Sequence, residues 1–411
     1  MRTILVCAYA CEPLKGSEQG VGWNWVLQMA KTNHLHVITR SNNQEVIELH
    51  LPSDVSPNIT FHYYDTHPFI KGLKNKAKGL YFYYFFWQLG IITLIFKLKK
   101  KQKFDYSMHL TFGSMWMPTF LPFFNIPFIW GPIGGGEGEP NSFIRALPLK
   151  QRMIQNVRKI INRAAFINPF YMITCVSACI ILVRTKNSAQ VIPKLFRKKT
   201  RVILETAMER EIFNFKRKQN TDFRKNEFKL ISTGRLTPSK NILTAIKAFD
   251  FIPPTYNVKY TIIGSGIEKY KIDKEIKNLK LEHRINVISE ITRKEVLEKL
   301  IESDIFLFPS LREGGSWALM EAMAIGLPVV CLKWTGMDII TDNKSAIQLP
   351  VSSPEQMPKD MAEAVIKLIK TPNLIDEMGS AGRARIREVF NWDAKGVFME
   401  ELFAELDNSK K

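Results

Sequence analysis

Residues Phe306 to Val330, FLFPSLREGGSWALMEAMAIGLPVV, decide the reading of this chain. The apolar run Ile305 to Phe308 is short and uninterrupted, as a buried parallel strand requires. Gly314 and Gly315 break it, and Ser316 stands where a helix N-cap belongs, just before an apolar, alanine-containing stretch. Gly326 and Pro328 stop that helix, and the next strand begins at once. Such a unit puts its loop beyond the carboxyl end of the strand, where open α/β sheets bind ligands. Glu313 lies in the loop and Glu321 on the helix, so both carboxylates can turn toward that crevice. The free N–H groups around Gly314, Gly315 and Ser316 suit a phosphate. A phosphate site flanked by two acceptors for sugar hydroxyls fits a nucleotide sugar. The plainer alternative is a surface acid in a loop and a solvated glutamate on a helix.

Outward from this unit the chain alternates strands with helices, which argues for parallel doubly wound sheets. In the N-terminal half RTILVCAYA, HLHVITR, NITFHYYD, FDYSMHLT and NIPFIWG read as strands, with YMITCVSA (Tyr171 to Ala178) and RVILETA closing that half. A second series begins at Phe228 with LISTGRL, YTIIGSG, RINVIS, DIFLFPS and PVVCLKW. The expected division is an N-terminal domain over 1–207, a charged linker over 208–227, and a nucleotide-sugar-binding domain over 228–392. A last helix over 393–411 is expected to cross back to the first domain.

Glu313-x7-Glu321 followed by AMAIGLPVV resembles the E-x7-E signature of retaining GT-B glycosyltransferases, family 4 in particular. STGRLTPSKNILTAIKAF (Ser232 to Phe249) resembles the same family's G-R-x4-K element. The resemblance implies two Rossmann-like doubly wound domains facing across a cleft. It implies that Arg235 and Lys240, beside Gly234, hold the donor diphosphate, that Glu321 accepts from the ribose, and that Glu313 lies against the donor sugar. The loop GSEQGVGW, with Gly20 and Gly22, would lie over the diphosphate and acceptor. Asp105-Tyr-Ser-Met-His109 matches the spacing of a D-x-x-x-H strand whose histidine contacts the donor sugar. GPIGGGEGEP (Gly131 to Pro140) would shape the acceptor pocket. Three departures stand out. Glu205-Thr-Ala-Met208 replaces N-G-V-D at the domain junction, Ile288-Ser289-Glu290 replaces F-x-G, and the bulky Trp317 follows Ser316.

Charge adds a separate constraint. All of the +19 net charge falls between Thr66 and Leu204, where 22 Lys and Arg face three acids, and no acid occurs between Glu139 and Glu205. Such a field concentrates anions: a nucleic acid, an anionic lipid or a polyanionic acceptor. No nucleic-acid-binding signature accompanies it, which disfavours the first. LYFYYFFWQLGIITLIF (Leu80 to Phe96) is apolar except for Gln88 and is flanked by lysines. As a helix it spans roughly 25 Å, short of a hydrocarbon core of about 30 Å. A domain helix whose aromatic face touches the cytoplasmic leaflet is the favoured reading, and a true span the minor one. Five cysteines without metal spacing, and an N-terminus that reads as a strand, point to reduced cytosolic thiols and no signal peptide.

The glycines at 16, 20 and 22 miss the G-x-G-x-x-G register, and the second strand ends in Thr39-Arg40 rather than an acid, so a nicotinamide enzyme is disfavoured. No D-x-D motif is placed to hold a metal, and no cofactor beyond the donor substrate is expected. The resemblance implies a retaining, metal-independent hexosyltransferase acting on a glycan or lipid-linked glycan in surface-polysaccharide assembly, and the basic half makes it expected to be cytoplasmic and peripheral at the membrane. A glycoside hydrolase using Glu313 and Glu321, or a non-catalytic membrane scaffold, are the rivals.

Overall fold

The computed structural model describes residues 1–73, 79–218 and 227–409. Lys74, Lys76 and Lys78 before the aromatic helix, and residues 219–226 of the expected linker, lie outside the described residues. The chain divides into two compact units. One comprises Met1–Gly136, Arg158–Glu205 and Trp392–Lys411; the other comprises Glu137–Val157 and Thr206–Asn391.

The first unit holds seven parallel strands in the order β3-β2-β1-β4-β5-β6-β7. They are β1 (Thr3–Cys7), β2 (His34–Arg40), β3 (Ile59–Tyr64), β4 (Tyr106–His109), β5 (Phe128–Ile133), β6 (Ala178–Val183) and β7 (Thr200–Val202). The order reverses between β1 and β4, whose carboxyl ends therefore form a topological switch point. Ile4 to Cys7 are fully buried, as a strand covered on both faces demands.

One segment departs from its sequence reading. YMITC is helical, within Pro169–Ser177. Asn168 accepts from the Phe170 and Tyr171 N–H groups, and Pro169 occupies the first turn, so local capping overrides the β propensity of Tyr171, Ile173 and Thr174. The strand of this region is the adjacent ACIILV of β6.

The helix Gly79–Lys101 turns Tyr83, Trp87, Ile91 and Ile95, four residues apart, into the core beside Tyr9 and Phe128. Its Gln88 is buried and donates to the Tyr84 hydroxyl at 2.9 Å. Tyr81, Phe82, Phe86 and Phe96 stay exposed. By length and composition it is long and apolar enough to cross a membrane, and one of its faces is built into the sheet's core.

The last helix, Trp392–Asn408, packs against the first, Ser17–Ala30. Arg2 reaches Glu400 at 2.6 Å and Asp407 at 2.7 Å, the Tyr106 hydroxyl donates to Asp407, and Lys31 pairs with Asp393.

The second unit holds six parallel strands in the order β10-β9-β8-β11-β12-β13. They are β8 (Phe228–Thr233), β9 (Val258–Ile263), β10 (Ile285–Ile288), β11 (Ile305–Phe308), β12 (Val329–Leu332) and β13 (Ala346–Leu349). The switch point here lies between β8 and β11. Segment 137–157, left with the N-terminal half in the sequence reading, clusters with this unit. The Trp334 indole donates to the Gly138 carbonyl at 2.8 Å, and the Ser142 hydroxyl donates to the Ser352 carbonyl at 2.9 Å.

Candidate functional site

The carboxyl end of β8 turns sharply. Gly234 sits at φ +141°, a conformation that side chains resist, and Arg235 follows it. A short 3-10 turn, Pro238–Lys240, then presents Lys240. A crevice at the switch point is lined by Thr233, Gly234, Arg235, Lys240, Phe308 and Pro309. Lys240 Nζ lies 2.5 Å from Glu313 Oε1 and over the Phe308 ring. The Ser310 hydroxyl donates to the same carboxylate, and the Glu313 N–H donates to Thr335 Oγ1 at 3.3 Å. Arg235 is exposed and makes no side-chain hydrogen bond or ion pair among the described residues. The crevice thus carries one cation already held by a carboxylate and another open to a ligand.

Beyond β11 the run forms the elements its sequence dictates. Ser316 caps the helix Trp317–Ile325 by accepting from the Leu319 N–H, and Gly326 ends it in the left-handed region at φ +99°. Gly315 has a second reason to be glycine: a Cβ there would fall 1.9 Å from Thr206 Oγ1. Thr206 belongs to the junction where the sequence departs from N-G-V-D, so the junction residue packs directly under the glycine loop. Glu321 is 8% exposed. Burial raises the pKa of its carboxyl above the usual range, and Arg293, 2.7 Å from Oε1, opposes that rise.

No motif pointed to Arg293. It opens the helix Arg293–Ile301, which begins with a full capping box between Thr292 and Glu295. That T-x-x-E signature was the available signal, because it fixes Arg293 in the first turn of the helix after β10.

The first unit holds the remaining expected site residues. His109 ends β4 at the switch point and is 2% exposed. Burial pushes its imidazole down to about 4, with the Phe112 carbonyl partly opposing, and its Nδ1 has no partner among the described residues. Gly20 and Gly22 do not lie in a loop: both are inside the helix Ser17–Ala30. A Cβ on Gly20 would meet the Lys15 carbonyl and one on Gly22 the Ala10 carbonyl, each at 2.0 Å. Their lack of a side chain lets the segment after β1 close onto the helix. They face protein, not an open approach. The site residues therefore separate by unit: Gly234, Arg235, Lys240, Glu313, Gly314, Gly315, Ser316 and Glu321 fall at the ends of β8 and β11, and His109, Gly20 and Gly22 in the other unit.

A consequence for stability follows from the histidines. His62 is also pushed down to about 4, by burial, then by His36 and Lys101. An unfolded imidazole takes a proton near pH 6.5 that the folded one refuses, so the unfolded state binds more protons between about 6.5 and 4. Stability is full above pH 6.5 and falls as the pH drops toward 4. For the buried His109 the loss reaches on the order of 3 kcal/mol. Melting temperature across pH 7 to 4 should decline, and His109→Asn should flatten part of the decline; an unchanged profile in that variant contradicts the burial argument.

Comparison with known proteins completes the picture. The family of glycosyl transferases group 1 matches residues 213–385. The capsular polysaccharide biosynthesis glycosyltransferase CapM of Staphylococcus aureus is 29% identical over 171 residues, which is 41% of this chain and 43% of CapM. The chain spans about half the length of the curated relatives it matches. Among solved structures, sucrose-phosphate synthase from Thermosynechococcus elongatus superposes with a TM-score of 0.65 at 16% identity, covering 100% of both chains. Anabaena HepE, solved in complex with UDP, gives 0.64 at 14% identity over 98% of this chain and 100% of HepE. At these identities the likeness is one of fold: two doubly wound parallel sheets, the GT-B class.

Proposed function

We propose, from the match of residues 213–385 to the family of glycosyl transferases group 1, that the whole chain is a retaining, metal-independent glycosyltransferase of the family 4 type. It moves a hexose or deoxyhexose from a nucleotide diphosphate donor to a glycan or lipid-linked glycan. The observation that carries this reading is the crevice at the β8/β11 switch point, where Arg235 is open and Lys240 is held against Glu313. A leaving diphosphate gains negative charge as the glycosidic bond breaks. Arg235, Lys240 and the N-terminus of the Ser316-capped helix meet that charge where it develops, which is the interaction that accelerates a step. The acceptor attacks from the face the diphosphate leaves, and the departing phosphate takes its proton. Glu321 accepts from the ribose, and Glu313 orients the donor sugar. His109, neutral near pH 7, offers a hydrogen bond to the sugar rather than a charge. CapM's role in capsular polysaccharide biosynthesis and the UDP bound by HepE support the donor class and the pathway class.

The protein works, on this reading, peripherally at the cytoplasmic membrane face, where its basic half meets anionic headgroups. A glycosidase is disfavoured because Glu313 and Glu321 are each already ion-paired, and because a hydrolase has no use for a diphosphate clamp. A thermal-shift panel of UDP, GDP, ADP and CDP tests the proposal. A nucleotide at about 100 times its dissociation constant adds about 2.7 kcal/mol, enough to raise the melting temperature by several degrees. No shift with any of them at millimolar concentration overturns the proposal.

A further inference from the structure

The helix Leu149–Arg163 is built inside out. Leu149, Met153, Ile154, Val157, Ile160 and Ile161 recur at a spacing that gathers them on one face, about 140° wide at 100° per residue. In a water-soluble domain such a face is buried. Here all six are exposed, from 68% at Leu149 to 50% at Ile161. The polar face points the other way: Arg152, Gln155, Lys159 and Asn162 are half-buried, and Asn162 donates to the Gly135 carbonyl at 2.9 Å. The apolar exposure continues through Phe166 and Ile167. The contrast with the helix Gly79–Lys101 is direct, since that helix spends its main apolar row on the sheet.

We propose that the helix Leu149–Arg163 is the element that inserts into an anionic lipid surface, its apolar face entering the boundary between headgroups and acyl chains. This rests on the membrane-face reading above and names the part of the chain that executes it. Charge selects the occupant. Lys150, exposed within the apolar arc, and Arg158, exposed beside its edge, are the cations that border this face, and no Asp or Glu occurs from Pro140 to Leu204. A second copy seated on this face by two-fold symmetry would bring like charges together with no acid of the segment to pair them. An anionic bilayer supplies the complementary charge to Lys150 and Arg158 and an apolar phase to the face they border.

The test uses the full chain and vesicles of phosphatidylcholine with or without phosphatidylglycerol. The wild type is expected to sediment with the anionic vesicles and to keep a salt-resistant fraction, because burial of the apolar face is not screened. The triple variant Ile154→Ser, Val157→Ser, Ile161→Ser should lose that fraction and partition about tenfold more weakly. Its melting temperature and nucleotide-induced shift should stay at wild-type values, since all three side chains face solvent. Equal vesicle binding by the triple variant overturns the proposal. So does a wild type that ignores anionic vesicles, or one that forms a dimer which the triple variant dissolves. Nucleotide binding without vesicle binding removes only the docking element; vesicle binding without any nucleotide response removes only the transferase reading.

Discussion

Replacing Arg235 and Lys240 together by alanine is expected to lower kcat by about 10³–10⁴-fold, the largest effect of any change at the site. Removing a single preorganised donor from developing negative charge typically costs about 10²–10³-fold. The two side chains start from different states, so their losses should differ. Arg235 is open to solvent, so its truncation should remove the proposed interaction with the leaving group and little else. Lys240 is already paired with Glu313, so Lys240→Ala also leaves that carboxylate with only its Ser310 contact among the described residues. The freed negative charge would then stand beside the departing diphosphate. Lys240→Ala should therefore cost more than Arg235→Ala, and the double variant should fall short of the product of the singles because both act on one charge. Single-turnover kinetics with the donor identified by thermal shift separates these losses from binding. Full activity in the double variant removes the clamp from the mechanism.

The positions of these residues were legible because their elements carry strong local signals. The run from Phe306 to Val330 contains a buried strand, a cap, a left-handed stop and a second strand, each written in residues that tolerate few alternatives, and each forms as written. Legibility failed where a local signal competed with composition. YMITC looks like a strand, yet Asn168 and Pro169 start a helix just before it. Gly20 and Gly22 look like a ligand loop, but glycine serves close backbone approach inside a helix equally well, and only the position of the Ala10 and Lys15 carbonyls tells the two apart. The pairing of Arg293 with Glu321 was hidden for a different reason, although the capping box fixes Arg293 at the start of its helix. The contact spans 28 residues of sequence and depends on the pairing of strands, not on any spacing. The inverted helix Leu149–Arg163 shows the same limit from the other side: its amphipathic spacing is plain in the sequence, and the direction its apolar face takes is not.

Glu321→Gln should move stability and function in opposite directions. The carboxyl is buried and its pKa is raised, so the folded protein holds a charge that burial disfavours. For an acid with a raised folded pKa, the stability contribution is present below the unfolded value, near 4.5, and is lost as the pH rises through the folded one. At neutral pH the ionised form is thus a cost to folding, and a neutral amide relieves it; the Arg293 side chain, 65% exposed, returns to water with little penalty. The melting temperature of Glu321→Gln should rise. Its affinity for the nucleotide should fall, because a charge-assisted acceptor toward the ribose is worth roughly 1.5–3 kcal/mol, or about ten- to 150-fold in dissociation constant. Glu321→Ala should lose at least as much affinity. Arg293→Ala supplies the third measurement. Without the cation the carboxyl pKa climbs further, so nucleotide affinity should begin to fall at a higher pH than in the wild type as the medium is acidified. Calorimetry from pH 8 to 5 on the three variants reads all of this. A Glu321→Gln protein that is both less stable and unchanged in nucleotide affinity would mean that the carboxylate holds the fold and not the donor.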